Sequence, residues 1–201
     1  MSLQSVRDFL SAHAPDVEIL EATTSTATVA LAAAAHGVEP ARIAKTLSLR
    51  LEGEPILLVM SGMARLDNRK YKDRFGAKAK MLDAAEVLAA TSHPVGGVCP
   101  FGLPRPLRVY ADVSLRAFDV VVPAAGDTHA ALRIAPERLV ALAAAEWVDV
   151  AQGCAALPWA RSAAVSSPGS RQRSARRRRA RCRCSRGTRR PSTGRPGSRR
   201  P

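Results

Sequence analysis

Several features that mark common protein classes are scarce or absent in this sequence of 201 residues. No run approaches the ~20 apolar residues of a membrane-spanning helix. The first apolar region is interrupted by Arg7, Asp8 and Asp16, whereas a secretion signal has an uninterrupted stretch of about 7 to 15 apolar residues. We therefore expect a cytoplasmic protein with no membrane partner.

Cysteine is also scarce, and no CxxC pair occurs. Of the four cysteines, positions 154, 182 and 184 lie near the C-terminus, which leaves Cys99 alone in the first three quarters of the chain. The four histidines are scattered singly, without the spacing of metal ligands. The pattern favours neither a disulfide framework nor a zinc site, and we expect no metal and no cofactor.

Acidic residues are absent from the C-terminal quarter, and this absence accounts for the charge of the whole chain. The formal net charge of +14 would ordinarily indicate a nucleic-acid binder. Residues 1–151, however, contain 16 Lys and Arg against 17 Asp and Glu, whereas residues 152–201 contain 15 Arg and no Lys, Asp or Glu. The excess positive charge therefore belongs to residues 152–201.

These last residues, 152–201, are rich in Arg, Ser, Gly, Pro and Ala, with RRRR at 176–179. Such a segment has too little apolar surface to offset the entropy of ordering it, so we predict a disordered tail. One interpretation is a nucleic-acid-binding arm. The other, which we favour, is read-through or a shifted frame in a GC-rich coding region.

Residues 1–151 have the length of one ordinary domain and alternate helices with strands. The periodicities predict helices at VRDFLSAH, TATVALAAAAHG, DNRKYKDRFG, DAAEVLAATS and PERLVALAAA, and strands at VEILEA, IAKTLSLRL, PILLVMSG, RVYADVSL, FDVVVPAAG and ALRIA. IAKTLSLRL and PILLVMSG are separated by three residues, which predicts a hairpin. The mixture predicts an α+β fold around a mixed sheet or a partly open barrel, flanked by helices.

Lys45 is the first candidate for chemistry. In IAKTLSLRL, apolar and polar residues alternate with the period of a strand, so Lys45 shares a face with the leucines at 47, 49 and 51. A lysine there loses hydration unless it meets an anion or a water-filled cavity. Either a pocket lies on this face, or Lys45 extends its ammonium to water at the sheet margin.

A second candidate is the segment HPVGGVCPFGLPRP, which is too rich in Gly and Pro for a regular element. Adjacent glycines permit close approach of another group, and exposed N–H groups in such a loop can bind a carbonyl oxygen or a phosphate. The alternative is an ordinary connection, although fourteen residues are long for one.

Cys99, within that segment, suggests a thiol nucleophile with His93 or His129 as its base. A cysteine between Val and Pro is more often a small buried hydrophobic residue. We favour the second interpretation, because a reactive thiol needs an electropositive setting.

Four ordered segments resemble the YbaK family, the aminoacyl-tRNA synthetase-associated or ProX-like trans-editing domains. They are IAKTL, SGMARLDNRKYKDRFGAKAKML, VGGVCPFGL and VYADVSLRAFDVVVPAAG, and the resemblance spans about residues 5–150. It implies an α+β fold with a central mixed, partly barrel-like sheet. It also implies hydrolysis of the ester between a wrong amino acid and its tRNA, typically proline tRNA.

The resemblance assigns the family's signature lysine to Lys45 and its GxxxP loop to Gly96, Gly97, Val98, Cys99 and Pro100. The lysine would meet the phosphate or ribose of the terminal adenosine or help organise an attacking water. The loop would confine the aminoacyl group through its backbone, and the substrate's own groups take part in the family's reaction. We count Thr46, beside the lysine, among the substrate-binding candidates.

One loop departs from the family pattern. Members that prefer cysteine carry a loop resembling Ser-Gly-Gly-Lys, whereas this chain has Ala124-Ala125-Gly126-Asp127, so a cysteine preference is not implied. Gly126 and Asp127 remain substrate-binding candidates, with Asp127 either binding the α-ammonium of an aminoacyl group or capping a turn.

We therefore expect a free-standing deacylase of mischarged tRNA, with prolyl-tRNA synthetase as a possible partner; the alternative is a non-catalytic binding module with the same pocket. A run of basic residues would help to capture tRNA or would be a solvated helix face. The run consists of Lys70, Lys72, Arg74, Lys78 and Lys80.

Overall fold

The computed structural model describes residues 2–152. All but one residue of the predicted disordered tail lie outside the described residues. Within them the chain forms five α-helices: α1 (Ser2–His13), α2 (Val29–His36), α3 (Asn68–Phe75), α4 (Ala84–Thr91) and α5 (Pro136–Leu142). Two short 3-10 helices span Pro40–Arg42 and Val113–Ala117. The helices confirm the sequence prediction.

Ten strands connect these helices. They are β1 (Ile19–Glu21), β2 (Ile43–Leu51), β3 (Glu54–Ser61), β4 (Arg65–Leu66), β5 (Lys80–Met81), β6 (Arg108–Asp112), β7 (Val122–Pro123), β8 (Ala130–Leu132), β9 (Glu146–Val148) and β10 (Ala151–Gln152). The predicted hairpin is confirmed, because β2 and β3 are antiparallel neighbours with Lys45 opposite Met60.

Polar side chains and glycines set the helix boundaries. Thr28 Oγ1 accepts the N–H of the third residue of α2, and the Asp67 carboxylate accepts two N–H groups of the first turn of α3. Asp83 opens α4 with a reciprocal capping box. Helices α2 and α3 end at Gly37 and Gly76 in the left-handed conformation, with φ of 62° and 70°.

The central sheet is mixed and open. Its strand order is β5-β2-β3-β6-β9, and β7 pairs with β2 on the same edge as β5. The hairpin is antiparallel, whereas β3–β6, β6–β9 and β2–β7 are parallel. The mixed α+β architecture is therefore confirmed. The barrel-like part of the prediction needs correction, because the two end strands, β5 and β9, do not pair with each other and the sheet does not close.

Four of the predicted strands are shorter than their patterns, and for two of them the structure shows the local cause. RVYADVSL is extended only through Asp112, whose carboxylate accepts the N–H of Ser114 at 2.9 Å and starts a 3-10 turn. FDVVVPAAG contributes only the two residues of β7 to the sheet. A local side-chain cap and a proline thus end elements that apolar periodicity alone would extend.

The second edge of β2 has a gap. Strand β7 pairs with Ile43 and Ala44, and β5 pairs with Leu49 and Arg50. Across the described chain, residues 45–48 between them have no neighbouring strand on that side; the Ser48 carbonyl instead accepts the N–H of Leu82. The gap leaves room for other groups to approach the middle of the strand.

Lys45 lies between two apolar clusters on one face of β2. Towards the start of the strand, Ile43 packs beneath α2 with Ala32 and Val122. Towards its end, Leu49 packs with Tyr71 in a separate cluster. The predicted face of Lys45 is thus confirmed, and the lysine stands where the apolar contacts change from one cluster to the next.

Candidate active site

A cavity of about 190 Å³ opens at the gap in β2. The segment before α2, the start of β2, the glycine-rich loop and the strands β7 and β8 form its walls. The lining residues are Thr26, Ala27, Thr28, Val29, Ala32, Ile43, Ala44, Lys45, Thr46, Gly96, Val98, Val122, Ala124 and Ala131. The volume is below the ~300–1,000 Å³ of typical ligand pockets, so the cavity can take only a small group.

Lys45 is held in the cavity wall through its ammonium. Its Nζ donates to Gly62 O at 3.0 Å and also to Ala64 O. An ammonium has three N–H donors, so one remains for a ligand. Burial lowers the pKa of Lys45, and the nearby charge of Arg65 lowers it further. This geometry favours the pocket interpretation over a side chain extended freely into water.

The turn that receives Lys45 is itself fixed by hydrogen bonds. Ser61 Oγ donates to Ala41 O at 2.6 Å, and Gly62 N donates to Ile43 O at 2.7 Å. A Cβ at Gly62 would lie 2.2 Å from Pro40 O, so only glycine fits this approach. The two carbonyls that accept from Lys45 are therefore preorganised.

A buried carboxylate supports this turn from behind. Asp112 is fully buried and accepts the N–H groups of Ser114 at 2.9 Å and Val150 at 2.8 Å. Ser114 Oγ in turn accepts the N–H of Ser61 at 3.2 Å. The sequence analysis missed this chain of contacts. The feature that could have indicated it is the presence of two polar residues, Asp112 and Ser114, at the end of an apolar strand.

The glycine-rich loop borders the cavity and packs closely against two other segments. Gly96 has a φ of 90°, and a Cβ there would lie 2.9 Å from the backbone of Ala27. A Cβ at Gly97 would lie 2.7 Å from the backbone of Asp127. Gly96 and Val98 line the cavity, whereas Gly97 contacts the neighbouring turn and is not among the lining residues.

Thr46 lines the cavity beside Lys45. Its Oγ1 is buried and has no hydrogen-bond partner in residues 2–152. An unsatisfied buried hydroxyl costs about 1–3 kcal/mol, so Thr46 lowers the stability of the strand at this point.

Besides Gly97, four predicted site residues lie away from the cavity lining. Gly126 packs against α1, where a Cβ would lie 2.8 Å from Ser2 O. Asp127 caps its own turn by accepting the N–H of His129 at 2.9 Å, which is the second of its two predicted roles. Pro100 borders a separate groove, and Cys99 is fully buried.

Cys99 and His93 do meet, but not as a nucleophile and its base. Their Sγ and Nδ1 atoms are 3.9 Å apart, and both residues are fully buried. Burial raises the pKa of Cys99 to about 12 and lowers the pKa of His93 to about 4. The thiol is therefore protonated, the imidazole is neutral, and neither lines the cavity.

No group of three or more His, Cys, Asp or Glu side chains in residues 2–152 is arranged to hold a metal ion. The helices in this range are all too short or too polar to cross a membrane.

The missed lining residues come mainly from two places, the segment Thr26–Val29 and the β7–β8 region. The sequence analysis placed Thr26 and Thr28 only at the start of a predicted helix, TATVALAAAAHG. Their position in the cavity follows from tertiary packing: Thr26 N and Oγ1 both donate to Thr128 O, at 2.6 and 2.9 Å.

The sequence model of the aminoacyl-tRNA editing domain family matches residues 23–142. The chain therefore belongs to this family, as its motifs indicated.

The chain is also similar to three individual proteins. It is 44% identical over 152 residues to the Bacillus subtilis (strain 168) protein YwhH, covering 75% of this chain and 97% of that protein. It is 35% identical over 100 residues to a proline–tRNA ligase of Geobacter sp. (strain M21), covering 48% of this chain but 18% of the ligase. The fold matches a crystal structure described as a candidate trans-editing enzyme for prolyl-tRNA synthetase, with a TM-score of 0.70, 32% identity and coverage of 76% and 98%.

Proposed function

We propose that this protein is a free-standing deacylase that hydrolyses the ester of mischarged tRNA, with proline tRNA as the acceptor. The observation that carries the proposal is the Lys45 ammonium, which two carbonyls orient at the wall of a small cavity. Family membership supports the class of substrate, and the likeness to proline–tRNA ligases supports proline tRNA.

In this proposal the cavity takes the aminoacyl group and the tRNA end lies at its mouth. The free N–H of Lys45 contacts the phosphate or ribose of the terminal adenosine, or a water that attacks the ester carbonyl. Backbone N–H groups of the loop at Gly96 and Val98 confine the aminoacyl group and stabilise negative charge on its carbonyl oxygen. The ester C–O bond then breaks, the ribose oxygen takes a proton, and the amino acid leaves.

The cavity lining favours a small aliphatic side chain on the amino acid. Lys45 is the only ionisable side chain among the lining residues, and most of the others are Ala, Val or Ile. A cationic side chain would find no acid there, and burying an unpaired charge is costly. We infer alanine-sized substrates.

The same lining also favours an alternative, a non-catalytic module that binds the aminoacyl-tRNA end or tethers to prolyl-tRNA synthetase. No lining residue is a conventional general base, so proton transfer would rely on the substrate's own ribose hydroxyl. In either case the protein would act in the cytoplasm, where tRNA is charged.

A panel of proline tRNAs carrying alanine, serine, leucine or lysine tests the proposal. If the protein is a deacylase, it should release alanine faster than leucine or lysine. Release is measured as loss of radiolabelled amino acid from the tRNA. Tight binding of an amide-linked, non-hydrolysable alanyl-tRNA without any release from the esters would instead establish the binding module.

A further inference from the structure

A groove of about 580 Å³ lies at the far end of α2 from the cavity. Arg42, Arg133 and Arg138 stand around it, and its lining is otherwise largely aliphatic, with Val17, Val38, Val120, Val122 and Ile134. The cavity borders the start of α2, and the groove borders Gly37 and Val38 just after its end.

Only one of the three arginines has an acidic partner. Arg138 forms a two-pronged ion pair with Asp16. No ion pair with an acid involves Arg42 or Arg133 anywhere in residues 2–152. Two positive charges on the groove are therefore uncompensated, in a domain whose overall charge is close to neutral.

Both unpaired guanidinium groups are nevertheless held in place. Arg133 Nη2 donates to His36 O at 3.1 Å. Arg42 Nη1 donates to Val120 O at 3.4 Å, and its guanidinium lies 5.5 Å from the ring centre of Phe118. Each guanidinium has five N–H donors in a planar fork, so most of its donors remain free.

We propose that Arg42 and Arg133 form a phosphate-binding site. Planar forks match the oxygens of a phosphate, and guanidinium groups that are already anchored lose little side-chain entropy when they bind. Two uncompensated charges beside an aliphatic floor suit a doubly contacted phosphate better than a neutral ligand.

The phosphate could belong to RNA or be free, and we assign it to the tRNA backbone, an assignment that rests on the proposed function. Val122 lines both the cavity and the groove, so the two are neighbours on the surface of the domain. A tRNA end whose aminoacyl group occupies the cavity can thus place a backbone phosphate on the groove.

Binding of uncharged proline tRNA to the full chain tests the site without relying on deacylation. Affinity is measured by fluorescence anisotropy across a salt series for the parent, for Arg42→Gln/Arg133→Gln and for Arg105→Gln. Arg105 is an exposed arginine away from the groove, so its variant serves as the charge control. A single-strand phosphate contributes about 0.7 to the salt slope.

We expect the double variant to bind about tenfold more weakly at low salt, with a slope lower by about 0.7 because one phosphate contact is lost, and Arg105→Gln to bind like the parent. The variant Arg42→Lys/Arg133→Lys keeps the charge without the planar fork, so its affinity for tRNA should lie between those of the parent and of the Arg42→Gln/Arg133→Gln variant. If tRNA binding is unchanged but inorganic phosphate raises the melting temperature of the parent and not of the double variant, the site binds free phosphate. If neither ligand distinguishes the parent from a folded double variant, the site assignment is wrong.

Discussion

Replacing Lys45 by alanine removes the one ionisable group of the cavity and should separate activity from folding. The ammonium is held by two carbonyls of a turn that has its own hydrogen bonds through Ser61 and Gly62. The turn therefore survives the loss of the lysine, although the Gly62 and Ala64 carbonyls lose a partner. Each carbonyl left without a donor lowers the stability by at most about 1–3 kcal/mol, and by less where water enters the enlarged cavity. Part of this loss is offset because the variant no longer has to bury a charged ammonium.

The activity should fall much further than the stability. Removing one preorganised electrostatic group typically lowers kcat by about 10²-fold or more, or about 2.7 kcal/mol of transition-state stabilisation. Lys45→Met, which keeps the aliphatic stem without the charge, should lose as much activity as Lys45→Ala. Lys45→Arg should also be impaired, because the two carbonyls are spaced for a compact ammonium and a planar fork does not replace it.

The assay is single-turnover deacylation of proline tRNA that carries alanine. Circular dichroism and thermal melting serve as the folding controls. The reasoning fails if Lys45→Ala remains folded and deacylates every substrate that the parent accepts at the parental rate. The ammonium would then be a structural feature of the turn, and the site would need to be sought elsewhere.

Three further predictions concern the loop and the buried residues around it. Gly96→Ala should destabilise the fold by about 1–3 kcal/mol and lower deacylation, because its Cβ would meet Ala27 at 2.9 Å. Gly53→Ala is the control: Gly53 has a similar φ of 88° but lies in open space, so this variant should cost less stability and leave deacylation unchanged. Cys99→Ser should retain most deacylase activity in the same assay, because the thiol is protonated and away from the cavity; a loss of three orders of magnitude in a folded variant would make it the nucleophile after all. His93 binds its proton more weakly in the folded state, with a pKa lowered from 6.5 to about 4, so stability should fall by about 3 kcal/mol as pH drops from 6.5 towards 4, and chemical denaturation should show a smaller pH dependence in His93→Gln.

Local patterns predicted much of the fold because local interactions determine it. The alternation in IAKTLSLRL gave both the strand and the face of Lys45, and the caps at Thr28, Gly37 and Gly76 are short-range contacts that any fold of these segments would use. The extent of β6 was less predictable, since the Asp112 cap that ends it competes with the strand pattern.

The candidate site was only partly predictable, since it depends on distant contacts. Lys45, Thr46, Gly96 and Val98 were predicted and do line one cavity. Nothing local indicated that the segment before α2 would form the opposite wall, or that the turn at Gly62 would bind the lysine. The open sheet likewise depends on how far distant segments pair, which the apolar period of each strand does not report.

The most direct test of the proposed function is the rate at which the full chain releases alanine from proline tRNA that carries alanine. The same measurement is made with correctly charged prolyl-tRNA and with a protein-free control. The account predicts release of alanine well above the spontaneous rate, with prolyl-tRNA left intact and the acceleration lost in Lys45→Met. The account would be contradicted if the folded parent released alanine, and every other amino acid of the mischarged panel, only at the spontaneous rate.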